Sequence, residues 1–240
     1  MFDLMSILLR LTSVWQRFLP QTPATSHGEK MRASLGALLG IGLTGLVSTK
    51  VAGTPDTLPL LIAPMGASAV LLFAVPASPL AQPWSIMGGN LVAAIIGVTA
   101  AHLIAAPLLA ASVAISGVLA AMSLLRCVHP PGGAVALTAV LGGPHVLALG
   151  YEFALVPVGL NSLLLCLVAI AFNNSTGRSY PHHAHASVHP HPPVRQPVIS
   201  AAELDEVLAD YGENIDISRD DLEALFRELV GRTQRNRVGV

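Results

Sequence analysis

Charged residues are scarce in this sequence, and their scarcity argues against a soluble globular domain. Only 11% of the 240 residues are Asp, Glu, Lys or Arg, whereas a soluble domain carries about 25%. Between positions 33 and 172 the charged residues are Lys50, Asp56, Arg126 and Glu152. Together with a hydrophobic content of 52%, this predicts an integral membrane protein whose first partner is the lipid bilayer.

Cysteines and catalytic motifs are also lacking. The sequence has two cysteines, Cys127 and Cys166, which lie far apart in apolar segments without the spacing of metal ligands. Neither H-E-x-x-H nor G-x-S-x-G occurs, and both motifs have well-defined catalytic roles. We therefore predict a protein that is not an enzyme and uses no metal or other cofactor, and we predict no nucleic-acid partner.

What the sequence does contain is a series of apolar segments. About twenty apolar residues are needed to cross a bilayer as a helix, and six stretches approach that length: 33–53, 58–75, 85–106, 108–125, 126–143 and 153–172. The second and the fifth are interrupted by Pro and Gly. We predict an all-α integral membrane protein, a bundle of about four to six transmembrane segments with two broken or half helices. Six full crossings fit, and so do four crossings with two partly re-entrant segments.

The six segments resemble three segments repeated. The stretch "APMGASAV" (63–70) and the stretch "HPPGGAVA" (129–136) share a Pro-x-Gly-x-small pattern, and "GGN" (88–90) corresponds to "GLN" (159–161). The order helix, broken helix, helix is the same in both halves. This pattern predicts a 3+3 internal repeat, inverted if all six segments cross. Paired interrupted segments in two halves indicate the binding site of a transporter.

The charge distribution divides the chain into four parts. We predict an N-terminal amphipathic, interfacial segment (1–30), a transmembrane domain (31–180), a His/Pro-rich linker (181–197) and an acidic helical tail (198–240). Ten of the fourteen acidic residues follow position 200. In the tail, Ser200 with Glu203 and Ser218 with Asp221 are typical of helix N-caps, so two short amphipathic helices are expected to pack on another part of the protein.

Basic residues flank the apolar body on both sides. Arg10, Arg17, Lys30 and Arg32 precede it, and Arg178 and Arg195 follow it. Because positively charged flanks stay on the cytoplasmic side of a membrane, we predict that both termini are cytoplasmic.

The interrupted segments suggest an anion site. Proline is suited to the first turn of a helix, so Pro130 and Pro131 are expected to end one helix and start another. Free N–H groups and the positive end of the helix dipole attract anions at such a start. The predicted donors are the backbone groups of Gly132, Gly133 and Ala134 and, after Pro64 in the first half, those of Gly66, Ala67 and Ser68.

Polar side chains near the interruptions have two interpretations each. Arg126 is a functional candidate if it lies within the membrane, or it extends to the interface if it lies at a helix end. His129 is suited to donating to an anion or relaying a proton, and equally to capping a broken helix. Asn90 and Asn161 are suited either to binding a substrate or to linking two helices.

Three stretches together resemble the HPP family of integral membrane proteins, named for its His-Pro-Pro motif. They are "HPPGGA" (129–134), "APMGASAVLLFAVPASPLAQPW" (63–84) and "FNNSTGRSYP" (172–181), and the resemblance covers roughly residues 30–182. It implies a membrane domain and, because plastid and cyanobacterial members are associated with nitrite transport, an anion substrate. The tail resembles the linker that leads into paired CBS domains in longer bacterial members.

These observations predict a transporter or channel for a small monovalent anion, most specifically nitrite, in a bacterial inner (plasma) membrane. The alternative is a membrane anchor or sensor whose acidic tail engages a soluble partner or regulatory domain. The small residues of "GALLGIGLTG" (36–45) permit close helix packing. They predict a homo-oligomer, unless that face packs within one subunit.

Overall fold

The computed structural model of the protein describes residues 25–52, 61–183, 201–211 and 216–238. Within these ranges the chain is helical and contains no β-strand. Most of the predicted interfacial segment, most of the His/Pro-rich linker and the predicted N-cap Ser200 lie outside the described residues. In chain order the helices are α1 (His27–Ala52), α2 (Pro64–Ala74), α3 (Pro83–Leu103), α4 (Pro107–Leu124), α5 (Pro131–Leu141), α6 (Pro144–Leu149), α7 (Leu160–Ser175), α8 (Ala201–Tyr211) and α9 (Arg219–Val238).

Four of the described helices are long and apolar enough to cross a membrane. They are α1, α3, α4 and the segment Ala154–Ser175, which is kinked at Val156, where the backbone is not helical, before it continues as α7. The first crossing begins at His27, six residues earlier than the apolar run alone indicates. The prediction of an all-α membrane protein is confirmed.

The two interrupted segments form half-length helices, as predicted. Helices α2 and α5 have 11 residues each, and at about 1.5 Å per residue each spans roughly half of a bilayer core. Pro64 and Pro131 occupy their first turns. One detail differs from the prediction: α4 already ends at Leu124, so the two prolines start a helix without ending one.

Contacts between helices establish their directions. The Arg32 guanidinium donates to the Phe73 carbonyl and to Asn173, so α1 begins where α2 and α7 end. Near the other end of α1, Ser48 accepts from Asn161 at the start of α7. Helix α1 therefore runs opposite to α2 and α7. We call the side of the body where α1 begins the Arg32 end. The opposite side is the His102 end, named after a residue in the last turn of α3.

Helices α3 and α5 run in the same direction, away from the Arg32 end. A Cβ placed on Gly89 would lie 2.7 Å from the Cys127 carbonyl, and one on Gly97 would lie 2.8 Å from the Ala136 carbonyl. Both helices therefore advance together along this contact. Since α2 runs toward the Arg32 end, the two half helices are antiparallel.

The glycines of α1 pack inside the subunit. A Cβ on either Gly36 or Gly40 would lie 2.5 Å from the Phe73 ring, so these glycines make room for that side chain. This is the second of the two predicted roles for the small-residue face. The homo-oligomer stays a prediction.

The tail helices pack on the Arg32 end of the body. The Ser78 hydroxyl donates to Asp216 at 2.7 Å, and His182 lies 2.9 Å from the Asp221 carboxylate. Ser218 accepts from the Asp221 N–H at 3.1 Å, which confirms the predicted N-cap of α9. Arg219 donates to Asp205 and holds the pKa of that carboxyl below its ordinary value, which links α8 to α9.

Candidate functional site

Eight uncharged polar side chains of the described residues are at most 1% exposed. Asn173 lies at the Arg32 end, Thr44 has no hydrogen-bond partner among those residues, and the other six lie inside the apolar body. These six come from α1, α2, α3, α7 and the α4–α5 connection. Asn161 is twelve residues along α7 from Asn173 at the Arg32 end, a distance of about 18 Å. Ser68 is five residues along α2 from Phe73 at the same end, a distance of about 7.5 Å, so the group extends over a range of depths inside the body. We call it the polar layer, and its members are Ser48, Ser68, Asn90, His129, Asn161 and Ser162.

His129 joins the two half helices. Its Nε2 lies 2.8 Å from the Ser68 Oγ of α2, and its Nδ1 lies 2.9 Å from the Leu80 carbonyl oxygen. A carbonyl only accepts, so Nδ1 carries the proton and donates. In the neutral ring, Nε2 is then an acceptor for the Ser68 hydroxyl. The imidazole at the start of α5 is thus held by the middle of α2 and by the loop that follows α2.

The two asparagines link helices. The Asn161 amide accepts from the Ile62 N–H at 3.2 Å and donates to Ser48 at 3.0 Å, which joins α7 to α1 and to the approach to α2. Asn90 donates to Ser162 at 3.0 Å, which joins α3 to α7. Of the two roles predicted for these residues, the geometry supports helix linking directly.

Two buried polar atoms in the described part of the chain have no hydrogen-bond partner, Asn90 Oδ1 and Thr44 Oγ1. Thr44 lies one helical turn before Ser48 and is 1% exposed. The two ends of an amide are assigned from their surroundings. If the Asn90 amide is turned over, its oxygen accepts from Ser162 and its NH₂ group becomes the unpaired end. Buried polar groups are normally paired, so the polar layer retains an unused hydrogen-bonding capacity.

Gly89 sets the distance between α3 and the His129 segment. A Cβ at this position would lie 2.7 Å from both the Cys127 carbonyl and His129 Cβ. A side chain here would force the segment away from α3. Glycine at position 89 therefore positions His129 in the polar layer.

The backbone donors predicted for the anion site are arranged differently from the prediction. The N–H groups of Gly132 and Gly133 donate to the carbonyls of His129 and Pro130 at 2.9 and 3.0 Å, and the Gly66 N–H donates to Ala63 at 3.0 Å. The expectation that these three groups are free is wrong, because tight turns at both helix starts satisfy them. Gly66, Ala67 and Ala134 are exposed on the outside of the body, and Gly133 is half-buried.

Arg126 lies at the Arg32 end, exposed and outside the polar layer. It has a φ of 52° and directly follows the end of α4. The Cys127 N–H donates to the Met122 carbonyl and the Arg126 N–H to Ser123, which is the Schellman pattern of a helix C-terminus. Of the two positions considered for Arg126, the structure has the helix end.

The loop between α2 and α3, residues 75–82, covers His129 from the Arg32 end. A 3₁₀ turn in this loop, Pro79–Ala81, presents all three of its carbonyls to side chains of the body. Ser85 donates to Pro79, His129 to Leu80 and the Tyr180 hydroxyl to Ala81. Burial raises the pKa of the Tyr180 hydroxyl well above its ordinary value, so the hydroxyl stays a donor.

Several residues of this arrangement were not anticipated as site residues. Ser48, Thr44 and Ser162 are small hydroxyl residues in apolar helices, and a serine in such a helix commonly satisfies its own backbone. The sequence could indicate these residues only through their neighbours, since Ser162 adjoins Asn161 and Thr44 lies one helical turn from Ser48. Tyr180 occurs in the stretch that carries the family resemblance, but nothing in the sequence places it under the 75–82 loop.

Metal ligation has no support in the described residues, where no group of three or more His, Cys, Asp or Glu side chains is arranged to hold an ion. The polar layer instead offers hydroxyl, amide and imidazole groups. Groups of this kind bind small polar solutes by hydrogen bonds.

The fold and the polar layer define the class: an all-helical integral membrane protein with two antiparallel half helices that meet at a buried polar centre. The family model for the transmembrane region of HPP proteins matches residues 22–181, and the chain belongs to the HPP family.

Comparison with curated proteins gives two transmembrane proteins of Dictyostelium discoideum. One is 34% identical over 152 residues, which cover 61% of this chain and 48% of the relative. The other is 37% identical over 127 residues, which cover 51% of this chain and 44% of the relative. The chain thus spans about half the length of the curated relatives it matches. No solved structure matches it.

Proposed function

We propose that this protein is a transporter of a small monovalent anion and that nitrite is the substrate to test first. The observation that carries the proposal is the meeting of two antiparallel half helices at Ser68 and His129, inside a polar layer that is sealed from both sides. In transporters, discontinuous helices from two inverted halves form the substrate site near the middle of the bilayer. The directions of α1, α2 and α3 are opposite to those of α4, α5 and α7, as such a pair of halves requires.

The chemistry of the polar layer favours an anion over a cation. Buried cations need carboxylates or several carbonyls, and the layer contains no carboxylate. Its hydroxyls, amides and imidazole include hydrogen-bond donors, and these suit a small anion that has lost part of its water shell. Asn90 donates to Ser162 and leaves its oxygen unpaired, so its amide has to turn over to present the NH₂ group to such an anion. The choice of nitrite among small anions comes from the family resemblance.

The polar layer is closed in this conformation, because its members are at most 1% exposed. A substrate can reach it only if one half of the bundle moves relative to the other, as in alternating access. Arg126 and Arg178 lie at the Arg32 end. We assign Arg126 the role of an entrance charge that raises the local anion concentration.

The deciding experiment is anion uptake into proteoliposomes that contain the purified full chain, with nitrite, nitrate, formate and chloride as substrates. We expect uptake of nitrite above that of protein-free vesicles, and no uptake of sodium or potassium. The Arg126→Gln variant should take up nitrite more slowly at low ionic strength and at the parent rate at high salt, because salt screens an exposed charge. Lack of uptake for all four anions would contradict the proposal.

One observation favours the second candidate, a membrane sensor that engages a soluble partner. The tail helices expose Val207, Leu225 and Leu229, each about 60% accessible. Leu225 and Leu229 lie one turn apart on α9, and neighbouring exposed apolar side chains are typical of a surface that binds a protein. If the protein transports no anion and the isolated membrane domain inserts normally, partner capture by the tail becomes the function to test.

A further inference from the structure

The 75–82 loop forms hydrogen bonds on two sides, to the helical body and to the tail. The bonds on the body side hold His129. The Leu80 carbonyl of the loop accepts the His129 proton at 2.9 Å, and the Ala81 carbonyl accepts from Tyr180 at 2.7 Å. While these bonds persist, the loop lies between the polar layer and the Arg32 end. Movement of the loop would release one of the two ring nitrogens of His129.

The outer side of the same loop is bound by the tail. Ser78 is 7% exposed, and its hydroxyl donates to Asp216 at 2.7 Å while accepting from the Leu80 N–H at 3.1 Å. A single serine oxygen therefore connects a tail carboxylate to the residue whose carbonyl holds His129.

A second connection runs parallel to the first. The His182 N–H donates to the Gln82 side-chain oxygen at 2.9 Å, and the His182 ring lies 2.9 Å from the Asp221 carboxylate. The Gln82 amide also donates to the carbonyls of Pro76 and Ser78 at 3.0 and 2.9 Å. The loop is thus bound to residues 216–221, which precede and begin α9, directly at Ser78 and through His182 at Gln82.

Space for movement exists beside the loop. A cavity of 880 Å³ lies between the loop and α9, and Val75, Pro76 and Ser78 line one wall while Ile217 and Leu225 line the other. A loop released from the tail would have room to move outward into this cavity. The body itself is close-packed on the inner side, where Ala81 and His129 are fully buried.

We propose that the tail segment 216–221 is a latch that holds the 75–82 loop on His129 and keeps the transport route closed at the Arg32 end. This inference rests on the proposed transport function, because it assigns a regulation to the same site. An event that draws the tail away, such as binding of a partner to α9, would free the loop and open the route.

The test compares two double variants that remove the same charge. Asp216→Ala with Asp221→Ala removes both latch carboxylates, whereas Asp210→Ala with Asp220→Ala removes two exposed tail carboxylates that do not line the loop. Hydrogen–deuterium exchange of residues 76–86 measures loop seating, and nitrite uptake into proteoliposomes measures the gate. We expect the latch variant to exchange faster in the loop and to take up nitrite at least about five-fold faster than the parent, the lower range of allosteric coupling. The control should match the parent.

Asp216→Ala alone breaks the contact with Ser78 and leaves Asp221 and the Ser218 cap of α9 intact, so it replaces the double variant if α9 itself exchanges faster. Unchanged loop exchange in the latch variants overturns the latch. Faster loop exchange with parent-level uptake overturns its gating role. If the parent and the control take up no nitrite at all, the proposed function fails, and loop exchange alone decides whether the tail holds the loop.

Discussion

At the residue scale, His129 determines how the centre of the molecule is organised. Its two ring nitrogens point to different elements, one toward the Ser68 hydroxyl and the other toward the Leu80 carbonyl. The two nitrogens lie at different distances from the backbone, Nδ1 next to Cγ and Nε2 at the far side of the ring, whereas an amide carries both of its polar atoms at the tip of the side chain. The geometry therefore explains why an imidazole, rather than an amide, occupies this position.

We expect His129→Gln to reduce both stability and transport. Both polar atoms of glutamine lie at the tip of the side chain, so an amide that reaches Ser68 leaves the Leu80 carbonyl unpaired in a buried site, at a cost of about 1–3 kcal/mol. Thermal unfolding in detergent and nitrite uptake measure the two effects. The control is His145→Gln, since His145 is exposed near the His102 end. Parent-like stability and uptake in the His129 variant would show that the ring is not required.

Glycine residues in this protein differ in what surrounds them, and substitution should reveal the difference. We expect Gly89→Ala to destabilise the protein by about 1–3 kcal/mol, because the added methyl group would lie 2.7 Å from the Cys127 carbonyl. At Gly66 an added Cβ meets nothing within 4 Å. Gly66→Ala should therefore be neutral or stabilising by about 0.5–1 kcal/mol, the helix preference of alanine. Urea or thermal unfolding in detergent distinguishes the two, and equal effects would contradict the packing described.

At the element scale, the C-terminal end of the half helix α2 needs polar partners because the last carbonyls of a helix have no partner within it. Asn173 donates to the Leu72 carbonyl at 3.0 Å, and Arg32 donates to the Phe73 carbonyl and to Asn173, each at 2.8 Å. Arg32 is also paired with Glu29 at 2.6 Å. Arg32 thus caps the end of α2, although it belongs to α1. The sequence identifies it only as a basic residue that predicts topology.

We expect Arg32→Gln to destabilise the protein more than Arg178→Gln does. Arg32 is mostly buried and donates to the Phe73 carbonyl of α2 and to Asn173 of α7, so its loss should cost about 1–3 kcal/mol. Arg178 pairs with Glu29 but is 52% exposed, and an exposed ion pair contributes at most about 1 kcal/mol. Thermal unfolding of both variants in the same detergent makes the comparison. A larger loss for Arg178→Gln would mean that the Arg32 cap is not what stabilises α2.

At the scale of the whole molecule, the two half helices enter the body from opposite sides. The short helix α2 ends at the Arg32 end, while α5 begins near it and runs toward the His102 end. Arg126, before α5, and Ser179, after α7, therefore lie on the same side of the membrane, and His145, after α5, lies on the other. Both termini are expected on the Arg32 side, which the basic flanks predict to be cytoplasmic.

Cysteine labelling tests this arrangement. With the two native cysteines buried, single substitutions at Arg126, Ser179 and His145 can be treated with a membrane-impermeant maleimide in oriented vesicles. We expect Arg126→Cys and Ser179→Cys to react from one side and His145→Cys from the other. Reaction of all three from the same side would require α5 to re-enter without reaching the opposite face.

The class of the protein could be predicted from the sequence alone. Four apolar runs are longer than the helices of a soluble protein need to be. Proline in the first turn with glycine nearby marks the starts of α2 and α5, and it can be recognised in the sequence because it acts within a few residues. The N-cap at Ser218 is local in the same way. The family resemblance likewise rests on short stretches that can be read directly.

The site could be predicted only in part, because its contacts join residues far apart in the chain. His129 and Ser68 are separated by 61 positions and Asn161 and Ser48 by 113, and nothing local indicates either pairing. The free N–H groups expected at Gly132 and Gly133 are used within their own turn, and Arg126 ends a helix instead of facing the centre. Sequence determined that this chain is a membrane protein with two half helices. Only the packing of the helices against one another decided which polar groups meet, because a buried donor takes whichever acceptor the fold brings within reach.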